Sequence, residues 1–378
     1  MNLFSFNHQS AKRVLLIHPF GIGDALFITP VIRTLKENGA EQIDLFLGSR
    51  TREVFEHNPN INHIFEWNKV RPDHLKEKLN ALRDLAKLYY QIWKNRYSVM
   101  LDFSPAAKFA FPSWIFFWIP VRVGFNFKGK GYFLTHKINL PDGYSEKFMV
   151  QYYLDLVRIL GLAPKSEKTE FIESVESASL ADHLLQELKV DLDLPILAVA
   201  PGGGESWGKD ARLKRWPVHH FAGLIQKVCT KNKSGTILIL GSKNERNLAE
   251  ELISYLNGMP VLNLCGEIPI HTVAALLKKS KFLIANDSGL VHLADALDVP
   301  VVAIFGPVDP KVYAPQSAQN RVLAVVNEGP VCRPCYQRFK YQSACTGLEC
   351  LNELTPEKVY QKIESAGFLS ADKSTVLK

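Results

Sequence analysis

The residues best placed to do chemistry lie where the apolar run Phe282-Leu283-Ile284-Ala285 breaks into Asn286-Asp287-Ser288-Gly289-Leu290-Val291-His292. That pattern reads as a buried strand turning sharply into a helix. Ser288 and Gly289 would leave the first-turn N–H groups of the helix open, and the helix dipole favours an anion there. Asp287 would repel a phosphate, so it is expected to face hydroxyls of a group attached to one. A sugar diphosphate satisfies both demands. A capped α/β loop without ligand remains the alternative, because Asp and Ser are ordinary N-cap residues. His292, one turn on, faces the same junction or is a satisfied helix residue.

Three other turns carry similar chemistry. Ala200-Pro201-Gly202-Gly203-Gly204 follows a strand and leads into a segment holding Lys209, Arg212, Lys214 and Arg215 before Trp216-Pro217. Gly203 and Gly204 offer backbone donors and the cations offer countercharge, which together could neutralise a leaving diphosphate without metal; a solvated basic loop is the alternative. Gly241-Ser242-Lys243-Asn244-Glu245 ends another strand, where Glu245 is placed to hold a ribose. Near the start, Phe20-Gly21-Ile22-Gly23-Asp24 departs from the dinucleotide fingerprint, because an acidic group at the helix start opposes a pyrophosphate. Asp24 is therefore expected to act as a general base, with an N-cap role as the alternative.

These turns need a scaffold of alternating strands and helices. Strands are expected at Arg13–His18, Ile43–Leu47, His63–Trp67, Tyr97–Asp102 and Val121–Phe125, with helices at Asp24–Glu37, His74–Lys94 and Glu146–Leu160. A second series has strands at Ile196–Ala200, Thr236–Leu240, Val261–Leu264, Phe282–Ala285, Val301–Phe305 and Val322–Val326. Its helices are expected at Val218–Thr230, Asn244–Leu256, His271–Lys279 and Leu290–Leu297. Such alternation implies parallel sheets covered on both faces, hence an α/β fold of two Rossmann-like domains facing a central cleft. The polar segment Ala163–Ala178 joins them, giving domains 1–175 and 176–354, then a helix and tail at 355–378 expected to pack back on the first domain; the tail after Phe368 should fray.

Composition narrows the function classes. With 378 residues, 47% hydrophobic and 22% charged, the chain suits two soluble globular domains. Its net charge of +7 suits an anionic substrate or lipid surface, and no nucleic-acid module is present. No signal peptide is expected in Met1–Arg13, and the six cysteines suggest a reducing cytoplasm. The apolar stretch Phe109–Val121, interrupted by Pro112 and Pro120, is too short to span a bilayer. It is expected to be a buried helix, with contact to a membrane surface or to a hydrophobic acceptor as alternatives. Cys332, Cys335, Cys345 and Cys350 could form a structural zinc site, stay as free thiols, or form disulfides.

The order Gly-x-Gly-Asp, Pro-Gly-Gly with Lys-Arg-Trp-Pro, Gly-Ser-Lys-Asn-Glu, Asn-Asp-Ser-Gly-Leu-Val-His, and Phe305-Gly306-Pro307 with Asp309-Pro310 resembles glycosyltransferase family 9, from Arg13 to about Glu357. The resemblance implies a GT-B fold and an inverting, metal-independent transfer from a nucleotide sugar, typically ADP-heptose, to a saccharide of the lipopolysaccharide core. It makes Asp24 the base, Lys214 a phosphate ligand, Glu245 a ribose ligand and Asp287 a ligand of the transferred sugar, with Ser288, Gly289 and His292 at the phosphates. No cofactor is required. Two departures stand out: the donor loop is extended by Glu205–Ala211, and Ser288 stands where Thr is common.

An anionic glycolipid or saccharide acceptor is expected to meet Arg50, Arg52 and Lys128, in the segments Ser49–Arg52 and Asn126–Tyr132. The expected location is cytoplasmic, with peripheral contact at the cytoplasmic face of the inner membrane. The alternatives are transfer from a different nucleotide sugar and a nucleotide-sugar-binding protein without turnover. A dehydrogenase is disfavoured, since the first turn lacks the third glycine and acidic partner of a nicotinamide site.

Overall fold

The computed structural model describes residues 12–67, 74–204, 208–232, 235–316, 321–341, 345 and 347–369. The expected tail beyond 369 and residues 205–207 of the donor loop lie outside these, as does the Lys209 side chain. Two compact units emerge, one of residues up to Tyr144 together with Met149–Thr169, the other of Ser145–Phe148 and everything from Glu170 onward.

In the first unit run β1 (Arg13–His18), α1 (Ile22–Leu26), α2 (Thr29–Glu37), β2 (Gln42–Gly48), β3 (His63–Trp67), α3 (Leu75–Lys94), β4 (Val99–Asp102), α4 (Ala110–Ile115), β5 (Val121–Asn126), β6 (His136–Asn139) and α5 (Met149–Arg158). The strands form one parallel sheet in the order β3-β2-β1-β4-β5-β6. Val14 to Ile17 are buried without a polar interruption, because helices cover both faces of a parallel sheet. Thr29-Pro30 splits the single helix expected over Asp24–Glu37. Pro30 restarts the helix in its first turn, and the Thr29 hydroxyl donates to the Leu26 carbonyl at 2.8 Å.

The second unit begins with α6 (Ser177–Glu187), then β7 (Ile196–Ala200), α7 (Val218–Asn232), β8 (Ile237–Ile239), α8 (Arg246–Tyr255), β9 (Val261–Asn263), α9 (Ile270–Lys279), β10 (Ser280–Asn286), α10 (Gly289–Ala296), β11 (Val301–Phe305), α11 (Pro310–Tyr313), β12 (Val322–Val326), β13 (Tyr336–Gln337), β14 (Lys340–Tyr341), α12 (Glu349–Asn352) and α13 (Pro356–Ser365). Its parallel sheet has the order β12-β11-β10-β7-β8-β9. Relabelled within each unit, both sheets read 3-2-1-4-5-6, the doubly wound order whose switch point lies between strands 1 and 4. In α7, Phe221, Leu224, Ile225 and Val228 recur at helical spacing and bury against the sheet.

Three expectations need correction. The division between units falls at 169/170 rather than 175/176, because the linker is already tied to α9: Lys278 pairs with Glu173 at 2.6 Å, and the Ser174 N–H donates to His271 Nδ1 at 3.2 Å. Helix α13, expected on the first domain, packs on α7 and β12, with Val359, Ile363 and Phe368 in the second unit's core. The stretch Phe109–Val121 is not a buried helix. Only Ala110 and Ser113 of α4 are buried, while Phe111, Trp114, Ile115, Phe116 and Trp118 are exposed; Phe117 and Ile119 hold the segment to the core.

Candidate functional site

The switch point of the second sheet lies between β7 and β10, where open α/β sheets bind ligands beyond their strand ends. Two turns leave it there, Pro201–Gly204 and Asn286–Ser288. Asn286 ties both to a third segment: its side-chain amide donates to the Pro201 carbonyl at 2.7 Å and accepts the Trp216 backbone N–H at 3.1 Å. Trp216 is fully buried, and its indole N–H donates to the Leu354 carbonyl at 2.7 Å. The result fixes residue 214 beside residue 287. Lys214 Nζ lies 2.7 Å from an Asp287 carboxylate oxygen, with both side chains buried. Among the neighbouring cations whose side chains are described, Arg212 is exposed and Arg215 half-buried, and Lys214 is the one set at this junction.

The glycine loop is shaped by the same packing. A Cβ at Gly202 would lie 1.9 Å from a Glu245 carboxylate oxygen, and one at Gly203 would lie 2.3 Å from the Ala211 carbonyl oxygen. Neither position admits a side chain without movement of the loop. Gly204 donates its N–H to Glu245 at 3.1 Å, and the same carboxylate accepts the Ser242 N–H at 2.9 Å and hydroxyl at 3.1 Å. Glu245 therefore joins the loops after β7 and β8 and closes a capping box with Ser242. These bonds use three of the carboxylate's roughly four lone-pair sites, leaving one on Oε1 for a ligand hydroxyl.

Ser288 is the N-cap of α10 but makes no side-chain capping bond, and its buried hydroxyl has no partner among the described residues. At the start of α10 the Val291 N–H turns back to the Ser288 carbonyl at 3.2 Å, and the N–H groups of Gly289 and Leu290 precede the first intrahelical acceptor. His292 is buried, and that burial pushes its pKa down to about 4, partly offset by Asp287. At neutral pH the imidazole is uncharged, so Lys214 is the cation facing this turn among the residues described above. The structure thus brings Gly203, Gly204, Lys214, Glu245, Asp287, Ser288, Gly289 and His292 to one end of one sheet.

In the first unit, the switch point between β1 and β4 carries Asp24. It is the third residue of α1, whose N-cap is Gly21, so the N-cap alternative for Asp24 does not hold. Burial first, then the neighbouring Tyr153 and the carboxylates of Asp24 and Asp102, hold the Tyr144 hydroxyl protonated. Asp102 ends β4 and accepts N–H groups of Ser104 and Phe109 at 2.9 and 3.0 Å; burial pushes its pKa up to about 6. His18 ends β1 and is kept neutral by burial, its pKa pushed down to about 3.

Arg50 and Arg52 are exposed on the turn Ser49–Val54 that follows β2 and packs against α1. Arg52 already pairs with Glu66 at 2.5 Å. Lys128 is exposed, its ammonium 5.1 Å from the Phe127 ring centroid. Thus the first sheet's carboxyl edge carries a carboxylate with cations on flanking turns.

Of the three alternatives for the cysteines, free thiols fit the described residues. Among the described residues, no three of the Cys332, Cys335, Cys345 and Cys350 sulfurs lie within 4.8 Å of one another, and all four are free. Burial pushes the Cys350 thiol up to about 11 and raises that of Cys335, which favours thiol over the thiolate a metal needs.

The model of glycosyltransferase family 9 (heptosyltransferase) matches residues 85–344. The chain belongs to this family. Lipopolysaccharide heptosyltransferase 2 of Salmonella typhimurium is 24% identical over 367 residues, covering 93% of this chain and 98% of that relative. The fold is also that of solved structures. A family 9 glycosyltransferase from Veillonella parvula superposes with a TM-score of 0.76 at 18% identity, over 97% of this chain and 99% of its own. ADP-heptose lipopolysaccharide heptosyltransferase II of E. coli gives 0.71 at 21%, over 94% and 98%. The two doubly wound units are those of the GT-B fold the family implies.

Two parts of the candidate site escaped sequence reading. One is the Asn286 clamp, which sat inside a recognised motif but whose partners are 70 and 85 positions away. The other is Tyr341, on the β13–β14 hairpin. Burial first, and then the Asp287 carboxylate, hold its phenol protonated, which places the hairpin near the Lys214–Asp287 pair. The hairpin is anchored on the loop after β11: Arg333 Nε donates to the Gly306 carbonyl, and the Cys335 N–H to that of Pro307 at 3.1 Å. Gly306-Pro307 therefore serves as a mount for this hairpin, and no short-range pattern announces Tyr341.

Proposed function

We propose that this chain transfers a heptose from ADP-heptose to a saccharide acceptor of the lipopolysaccharide core or a related envelope glycan, inverting the anomeric centre and using no metal. The observation that carries the reading is the buried Lys214–Asp287 pair beside the open first turn of α10. A cation and a set of N–H donors suit a diphosphate, while a carboxylate suits the hydroxyls of the sugar attached to it. The E. coli relative is described as an ADP-heptose enzyme, which supports ADP as the nucleotide.

In the proposed step, Asp24 takes the proton of the acceptor hydroxyl as its oxygen attacks the anomeric carbon. The bond from that carbon to the β-phosphate oxygen breaks, and its electron pair leaves with ADP. Lys214 moves from Asp287 to the developing phosphate charge, joined by the N–H groups and hydroxyl at Ser288 and Gly289 and by neutral His292 as a hydrogen-bond donor. Asp287 then holds sugar hydroxyls, and Glu245 the ribose. Arg50, Arg52 and Lys128 orient the anionic acceptor. Countercharge that a divalent ion supplies in other transferases comes here from Lys214 and the helix terminus.

A thermal-shift panel tests the donor assignment. ADP and ADP-sugars should raise the melting midpoint by several degrees at saturating concentration, because ligands that bind only the folded state stabilise it by mass action. UDP, GDP and their sugars should leave it unchanged. A selective shift with UDP or GDP would instead favour a glycosyltransferase of different donor.

A further inference from the structure

We propose that the outward faces of α3 and α4, with the loop 126–133, form a docking surface for an anionic lipid bilayer. This inference is independent of the donor assignment. The surface is apolar where a soluble unit is expected to be polar: Leu82 is 62% exposed, Trp118 67% and Tyr132 82%, and Leu79, Tyr90, Trp114 and Phe116 are exposed with them.

Ring contacts tie α4 to α3 on one side and to the loop 126–133 on the other. Tyr89 of α3 meets Phe116 and Phe117 at centroid distances of 5.5 and 5.0 Å, Trp114 stacks on Phe133 at 5.6 Å, and Tyr132 meets Phe133 at 5.3 Å. Phe117 and Ile119 are buried, so α4 is pinned to the core while its aromatic side stays outside. At six residues, with Ala110 and Ser113 buried, α4 turns one side inward.

Charge identifies the occupant. Residues 79–137 contain nine Lys and Arg but two Asp, a balance of +7 that equals the net charge of the whole chain. One of the two acids, Asp102, is buried. Lys87, Lys94, Arg96, Lys108, Lys128 and Lys130 of the same stretch are exposed, the Arg96 guanidinium 4.3 Å from the Trp93 ring centroid and the Lys128 ammonium 5.1 Å from that of Phe127. A second copy of the chain would bring two cationic faces together. A bilayer with anionic headgroups accepts both features, with indole and phenol rings at the headgroup level and cations on the phosphates. No helix among the described residues is long and apolar enough to cross a membrane, so the contact is in the plane of the surface.

The test is sedimentation of the full chain with vesicles. The protein should pellet with vesicles containing phosphatidylglycerol at low salt, with a blue shift of tryptophan emission, and should be released as salt rises. It should remain in solution with phosphatidylcholine alone. The double variant Phe116→Ser/Trp118→Ser should weaken partitioning by roughly tenfold or more, and Lys94→Glu/Lys130→Glu should weaken it on anionic vesicles, each keeping the parent's melting midpoint. Tyr132→Ser, at the most exposed ring of the patch, replaces the first variant if that one fails to fold. No pelleting of the parent, equal binding to both lipids, or folded variants that bind like the parent would each overturn the proposal. So would a parent that sediments as a dimer and becomes monomeric in Phe116→Ser/Trp118→Ser.

Discussion

Asp24→Asn should lower glycosyl transfer by roughly 10²- to 10⁴-fold, the usual contribution of a general base, while donor affinity stays at the parent's value. The substitution keeps size and polarity and removes only the group that accepts a proton. Because α1 is capped by Gly21, no helix-capping loss accompanies it. Calorimetry with ADP separates binding from turnover. Transfer within a few fold of the parent, in a folded variant, would remove Asp24 from the mechanism and turn attention to Asp102. That second carboxylate of the same switch point is raised by burial to about pH 6, which puts it in a range where it could exchange a proton.

The Lys214–Asp287 pair should show an effect of comparable size in stability. Lys214→Met leaves the Asp287 carboxylate buried without its cation, and Asp287→Leu leaves the ammonium so; each should cost about 3–5 kcal/mol, as broken buried ion pairs do. Lys214→Met/Asp287→Leu removes both charges together and should recover much of that loss. Recovery should not extend to donor binding, since a diphosphate would then lack its countercharge. Urea unfolding of the four proteins measures the coupling. Single variants within about 1 kcal/mol of the parent would show that the pair behaves as an exposed bridge, and the site would lose its organising contact.

The contrast between these two groups shows how far the sequence could be read. Both core motifs are local: Gly-x-Gly-Asp and Asn-Asp-Ser-Gly each sit where a buried apolar strand meets a helix. Strands such as Arg13–His18, Ile196–Ala200 and Val301–Phe305 were legible to the residue because both faces are covered: the latter two are apolar and buried throughout, and Val14–Ile17 forms the same kind of run between Arg13 and His18. Lys214 was one of several nearby cations. Its selection depends on Asn286 and Trp216, contacts that span scores of residues and leave no periodic trace.

Elements at the margins were harder. The edge strand His136–Asn139 alternates half-buried and exposed positions and contains no apolar run. Helix Ser177–Glu187 buries only Ser177, Ala181 and Leu185, a narrow stripe against α9 that reads as linker. The aromatic stretch at 109–119 misled for the opposite reason. Hydrophobicity alone indicates burial, whereas a six-residue helix can turn just one side inward.

The most direct measurement is transfer itself, with purified protein, ADP-heptose and a truncated lipopolysaccharide core acceptor in the presence of excess chelator. Proton NMR of the product should show one added heptose whose anomeric configuration is opposite to that of the donor, with ADP released in equal amount. An intact acceptor, a product with retained configuration, or transfer abolished by the chelator and restored by a divalent ion would contradict the mechanism proposed for this chain.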